Sequence, residues 1–252
     1  MHANLAETLF IGALGAAVGS FLNVAAYRIP RGESIIRPRS RCPECGNQIA
    51  AHDNVPLVSW ALLRGHCRDC GTRIPLRYPL VEALTAGLFA VVALRADGAA
   101  ELCAGLVLVT MLVLVAAIDI EHRIVPNRVL APAAVIGIAL WAVWEPSHVP
   151  ESLAAGAGAG LFLLVFALAY PAGMGMGDVK LAAVMGLFLG RSVVPGLFAA
   201  FAVGAAAGVG VMVVRGAAAR KHAIPFAPYL ALGGVVGQLF GASIVHWYLG
   251  VA

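Results

Sequence analysis

Four cysteines fall into two pairs, Cys42-Pro43-Glu44-Cys45-Gly46 and Cys67-Arg68-Asp69-Cys70-Gly71, on one short arginine-rich segment. Each pair places two thiolates a turn apart. Glycine after each pair allows the positive φ that folds the backbone back toward a shared centre. Four sulfurs suit a tetrahedral metal such as zinc, although the stretch between the pairs is slightly longer than usual for this arrangement. Two aspartates carry a second chemistry. Asp119 ends an unbroken apolar run, Met111 to Ile118, and Asp178 follows the glycine-punctuated Gly173-Met174-Gly175-Met176-Gly177. An ionisable group at the edge of a long apolar run is a functional candidate by default. Two carboxylates brought within a few ångströms do not both ionise readily, so one retains a proton. The charged partner can then take a proton from water while the protonated one hydrogen-bonds a carbonyl, which amounts to amide hydrolysis without metal or serine.

The elements that position these residues are apolar helices. The chain has 252 residues, of which 61% are hydrophobic and only 12% charged. That composition excludes an ordinary water-soluble domain and predicts an all-α polytopic membrane protein. Apolar runs predict about eight transmembrane helices, near 5–26, 79–95, 100–118, 129–144, 152–171, 179–190, 193–214 and 228–249. The sixth is short for a full span. The first run has no Lys or Arg before it, so a cleavable signal peptide is not expected. Three regions follow: a first transmembrane helix at 1–26, a cytoplasmic cysteine-bearing loop at 27–78, and a membrane domain at 79–252.

Basic residues set the orientation. Threading eight spans places Arg28, Arg31, Arg37, Arg39, Arg41, Arg64, Arg68, Arg73, Arg77, Arg123, Arg128, Lys180, Arg215, Arg220 and Lys221 on one side, and only Arg95 and Arg191 on the other. The cysteine loop, Asp119 and Asp178 are therefore expected at the cytoplasmic face. A reducing compartment disfavours disulfides there, and a closed four-thiolate site leaves no position for substrate, so the metal is expected to be structural. A redox pair and a catalytic metal are the alternatives. Cys103 lies in an apolar run and reads as a packing residue. Glycines four apart, as in Gly15/Gly19, Gly156/Gly160, Gly204/Gly208 and Gly233/Gly237, read as helix-packing faces. Asp178 alone also reads as an N-cap, and Asp119 alone as a carboxylate paired with Arg123. Glu121 and His122 are the nearby titratable alternatives.

The ordered set resembles the prepilin peptidase family of membrane aspartyl peptidases. The resemblance runs through Gly19-Ser20-Phe21-Leu22-Asn23-Val24, Tyr27-Arg28-Ile29-Pro30, the cysteine pairs, Asp53-Asn54-Val55-Pro56, Ser59-Trp60 and Tyr78-Pro79-Leu80-Val81-Glu82. It continues through Asp119 with Pro126-Asn127, Gly175-Met176-Gly177-Asp178-Val179-Lys180-Leu181, and Pro225-Phe226-Ala227-Pro228-Tyr229. It implies that Asp119 and Asp178 are the catalytic pair. It also implies cleavage of a basic leader after a glycine, at the cytoplasmic membrane face, in type IV prepilins or type II secretion pseudopilins. Relatives with this cysteine loop commonly N-methylate the new N-terminal residue with S-adenosylmethionine, although no glycine-rich nucleotide fingerprint is present here. The implied partners are prepilin or pseudopilin substrates and membrane lipid, with no nucleic acid, at the bacterial inner membrane. Glu121 replaces a second aspartate frequent in relatives, and Ala227 a common glycine. The competing reading is a proton- or cation-coupled transporter, whose acids would lie near the midplane between broken helices.

Overall fold

The computed structural model describes residues 3–170, 173–215 and 225–250. Arg220, Lys221 and the last position of the predicted 152–171 run lie outside those residues, as does the side chain of Arg215. Among the described residues there are nine α-helices and no extended strand. They are α1 (Leu5–Arg28), α2 (Val58–Leu62), α3 (Arg77–Arg95), α4 (Ala99–His122), α5 (Asn127–Trp144), α6 (Val149–Ala169), α7 (Met176–Leu189), α8 (Val193–Arg215) and α9 (Ala227–Leu249). Seven segments are long and apolar enough to cross a membrane, so the chain is a multi-pass membrane protein. One segment, Met176–Val214, contains both α7 and α8. A short 3-10 turn at Gly190–Ser192 divides them, and Gly190 takes a φ of +53° there. All eight predicted apolar helices are therefore present. At 14 residues α7 is about 21 Å long, short of a bilayer core of about 30 Å.

The chain divides into two units, residues 1–97 and 98–252. In the first, α1 and α3 lie side by side. Gly15 and Gly19 make this possible: an added Cβ at Gly15 would stand 2.8 Å from Phe89, and one at Gly19 would stand 2.7 Å from the Glu82 Cα. Polar residues join the two helices to each other and tie down the loop between them. Asn23 donates to the Tyr78 carbonyl at 3.1 Å. The buried Glu82 carboxylate accepts the Leu57 N–H at 2.7 Å, where Leu57 adopts a φ of +62°. The buried Arg28 guanidinium donates to the carbonyls of Ser34 and Pro38, holding that strap against the end of α1.

In the second unit α4 is the central helix, and it packs on α5, α7 and α9. Its residues Leu108, Leu112, Val115 and Ile118 are fully enclosed. Helices α6 and α7 approach closely where Gly186 meets Gly156, and α8 and α9 do so where Gly233 meets Gly196. Such contacts bring backbones together where lipid supplies no hydrophobic drive. Gly208 departs from the expected packing role, since an added Cβ there would meet open space. Glu151 of α6 receives the Arg191 side chain and backbone N–H at 2.9–3.0 Å, fixing the turn between α7 and α8.

Candidate active site and metal centre

The metal centre belongs to the first unit. Two matching knuckles form it. In one, the Cys42 N–H donates to the Asn47 carbonyl and the Gly46 N–H returns to the Cys42 carbonyl. In the other, Cys67 bonds Thr72 and Gly71 returns to Cys67. Gly46 and Gly71 have φ of +72° and +70°, the left-handed backbone expected after each pair. Isolated bridges between Arg41 and Gln48, and between His66 and Arg73, close each turn at its base.

The sulfurs of Cys42, Cys45, Cys67 and Cys70 all lie within 4.8 Å of one another. The Cys42 and Cys70 sulfurs are 3.7 Å apart. Metal–sulfur bonds of about 2.3 Å in a tetrahedron give sulfur–sulfur edges of about 3.8 Å, whereas a disulfide would hold two sulfurs at about 2.05 Å. The donor set thus fits a tetrahedral ion that prefers thiolates. The backbone N–H of Cys45, with that of Glu44, brings the Cys42 thiol down to about 7 against the opposing effect of burial. A bidentate ion pair from Arg68 to Asp53, at 2.6 and 2.8 Å, pins the second knuckle to the 3-10 turn at Ala51–Asn54. Hydrogen bonding from Arg68 holds the Asp53 carboxyl below its ordinary value. Trp60 donates to the Ile74 carbonyl at 3.2 Å, and Ser59 to the His52 carbonyl at 2.8 Å, completing the loop.

The aspartates belong to the second unit, and both are buried. Asp119 lies in the last turn of α4. That helix ends at Arg123, whose left-handed conformation lets its N–H reach the Asp119 carbonyl. The Asp119 carboxylate accepts the Ala227 N–H at 3.2 Å, at the first residue of α9. Asp178 is the third residue of α7, and its carboxylate turns back to accept the Gly175 N–H at 3.3 Å. Each carboxylate is therefore held by a backbone N–H at the start of a helix, where the aligned peptide dipoles attract negative charge. The second oxygen of each makes no hydrogen bond among the described residues.

Gly177 is what allows the α7 end to lie against the segment after α4. An added Cβ there would stand 2.8 Å from the Val125 Cβ. Lys180 reaches Asn127 at 3.2 Å, a further tie between α7 and α5. The simpler readings of the aspartates change. Asp178 is not an N-cap, because α7 begins three residues earlier than the apolar run suggested. Asp119 forms no ion pair with Arg123 among the described residues, its carboxylate being taken by Ala227. Glu121 is exposed, 3.9 Å from the His122 imidazole. His122 is more enclosed than a solvated loop residue, and its Nε2 is buried without a hydrogen-bond partner. The role of Ala227 was not anticipated. Its only sequence signal is Pro228, a residue suited to a helix's first turn.

A family model described as the bacterial peptidase A24 N-terminal domain matches residues 13–96, and that of the type IV leader peptidase family matches residues 106–213. The chain is 37% identical to a prepilin leader peptidase/N-methyltransferase of Bacillus subtilis, over 97% of this chain and 98% of the relative. The chain belongs to the type IV leader peptidase family. A relative of the same name from Aeromonas salmonicida is 35% identical over 92% of this chain and 90% of its own length. Another from Myxococcus xanthus is 41% identical over 84% of this chain and 65% of its own length. No solved structure matches. These relationships agree with a membrane peptidase, and no observation favours a transporter.

Proposed function

We propose that this chain removes the leader peptide from type IV prepilins or type II secretion pseudopilins, cutting after a glycine, and that it N-methylates the new N-terminal residue. The observation that carries the first activity is the pair of buried carboxylates, Asp119 and Asp178, each held by a backbone N–H at a helix start within a leader peptidase family member. One carboxylate takes a proton from water, and the resulting hydroxide attacks the scissile carbonyl. The protonated partner hydrogen-bonds the carbonyl oxygen as charge develops on it. Collapse of the tetrahedral intermediate breaks the C–N bond, and the leaving nitrogen takes up a proton from the dyad. Fixing each carboxylate through one oxygen leaves the other to face water or substrate.

The four cysteines hold Zn²⁺ with no open coordination position, so the ion organises residues 27–78 and does not act on substrate. That loop serves methylation, and residues 79–252 the peptidase. S-adenosylmethionine supplies the methyl group. Basic-residue bias supports an orientation with the cysteine loop and the aspartates at the cytoplasmic face of the bacterial inner membrane. There a prepilin's apolar helix enters from the bilayer while its leader stays in water. Membrane lipid is the other partner, with none among nucleic acids.

The test uses purified full-length protein and a leader-bearing pilin peptide, read by mass spectrometry for cleavage and for the methyl mass shift. Asp119→Asn and Asp178→Asn should each reduce cleavage by at least about a thousandfold while the proteins insert and melt normally. Near-normal cleavage by either variant refutes the dyad.

A further inference from the structure

Five aromatic rings from three helices of the second unit form a continuous row. Phe162 and Phe166 of α6 stand edge to face with centroids 5.0 Å apart, and each is 6.1 Å from Phe201 of α8. Phe201 lies 5.5 Å from Phe226, and Phe226 lies 6.4 Å from Tyr229 of α9. The row is not sealed. Phe162 and Phe166 are each 47% exposed, and the other three residues are half-buried. Its inner end is fixed in place. The Phe226 carbonyl accepts the N–H groups of Tyr229 and Leu230 at the start of α9, and the next residue is Ala227, whose N–H holds Asp119. Gly204 of α8 gives the Phe226 ring its room, since an added Cβ would stand 3.2 Å from it. The row therefore runs from one residue away from the Asp119 donor to the exposed face of α6.

We propose that this row receives the first large apolar side chains of the substrate after the cut, and so determines which residues are accepted there. The inference rests on the peptidase reading. Position supports it first. A peptide bond acted on by Asp119 must lie close to Ala227, which shares that carboxylate, and Phe226 is one Cα step of about 3.8 Å away. The substrate's own chemistry supports it next. A glycine before the cut offers no side chain, and the leader stays in water, so the side chains available for recognition beside the scissile bond lie on the apolar side. The solvent supports it third. Lipid tails already surround an apolar helix, so burial alone does not draw it to the enzyme, and discrimination must come from packing against fixed groups. Rings 5.0–6.4 Å apart in tilted and edge-to-face arrangements provide such a surface.

Purified full-length protein should be given pilin peptides carrying phenylalanine and leucine directly after the cut, or alanine at both positions, with cleavage read as kcat/KM. Each carbon pair contributes little, but the ten or so pairs lost on truncation amount to roughly tenfold in favour of the larger residues. Phe201→Ala and Phe166→Ala should each reduce that ratio to within about threefold. Phe198→Ala, at an exposed residue of α8 outside the row, should preserve it. A role in helix packing alone lowers cleavage of both peptides equally, so an unchanged ratio in the two row variants overturns the proposal. Loss of the ratio in Phe198→Ala also overturns it. Binding is read separately with a benzophenone side chain at the first position after the cut, irradiated with the Asp178→Asn variant. It should attach within residues 162–166, at 201 or within 226–229, and attachment elsewhere overturns the proposal. A parent that cleaves both peptides alike refutes this inference alone, whereas a parent that cleaves neither refutes the peptidase reading and the inference with it.

Discussion

Replacing Gly177 with alanine tests the site's geometry without touching a carboxylate. The new methyl would stand 2.8 Å from the Val125 Cβ and 3.1 Å from its Cγ2. Carbon atoms in comfortable contact are about 3.5–4.0 Å apart, so the start of α7 and the segment after α4 must separate by about 1 Å. Asp178 is the adjacent residue and is bonded back to Gly175, so it moves with that backbone. A misplacement of about 1 Å can cost about a hundredfold in rate. Overpacking of this kind costs about 1–3 kcal/mol of stability. Cleavage of a pilin peptide by Gly177→Ala should therefore lose about two orders of magnitude, chiefly in kcat, with a lowered melting temperature. Adding Val125→Gly removes both contacting atoms and should recover at least about tenfold. Activity of Gly177→Ala within about threefold of the parent would refute this reasoning. So would a double variant as inactive as the single one.

Zinc analysis of protein purified without chelators should give one ion per chain, and serine at Cys42, Cys45, Cys67 or Cys70 should remove it, impairing methylation before cleavage; a metal-free parent refutes the site. Glu82→Ala should destabilise the first unit by about 1–3 kcal/mol, because the half-buried Leu57 N–H loses its charged acceptor, and thermal unfolding measures this. Arg68 holds Asp53 below its ordinary value, so the carboxylate's stabilisation of the loop is complete above the ordinary carboxylate range and fades as pH falls through the lowered value. Trp60 fluorescence followed from pH 6 down to about 3 should show the parent loop more stable than Asp53→Asn at the upper end, with that advantage shrinking toward the lower end; the same pH profile in both proteins refutes it.

The helices were legible because a bilayer demands length and apolarity that composition records directly. Their ends were less so. Helix α4 continues past Ile118 to His122, and α7 starts at Met176, because polar residues at a membrane boundary can extend a helix that hydropathy truncates. The knuckles were visible in full, since cysteine spacing and the following glycines encode a local turn. Close approach was visible at Gly15, Gly19, Gly156 and Gly233, but Gly208 shows that small residues four apart do not by themselves name a partner. The bond from Ala227 to Asp119 spans 108 residues of sequence, and no periodicity reports a contact of that range.

The placement of the acids explains why the glycines precede Asp178 and a helix start faces Asp119. A carboxylate carried on the middle of an apolar helix would face either lipid or packed side chains, with nothing to solvate it. A carboxylate at a helix start gains a backbone donor that no other residue claims. Asp178 uses the start of its own helix, so Gly175 must present its N–H and Gly177 must let the turn lie against Val125. Asp119 sits at the end of its helix, where the free backbone groups are carbonyls and repel it. It takes its donor from the start of α9 instead. The proposed dyad therefore depends on three helix termini meeting, and the residues that join them belong to that candidate site as much as the carboxylates do.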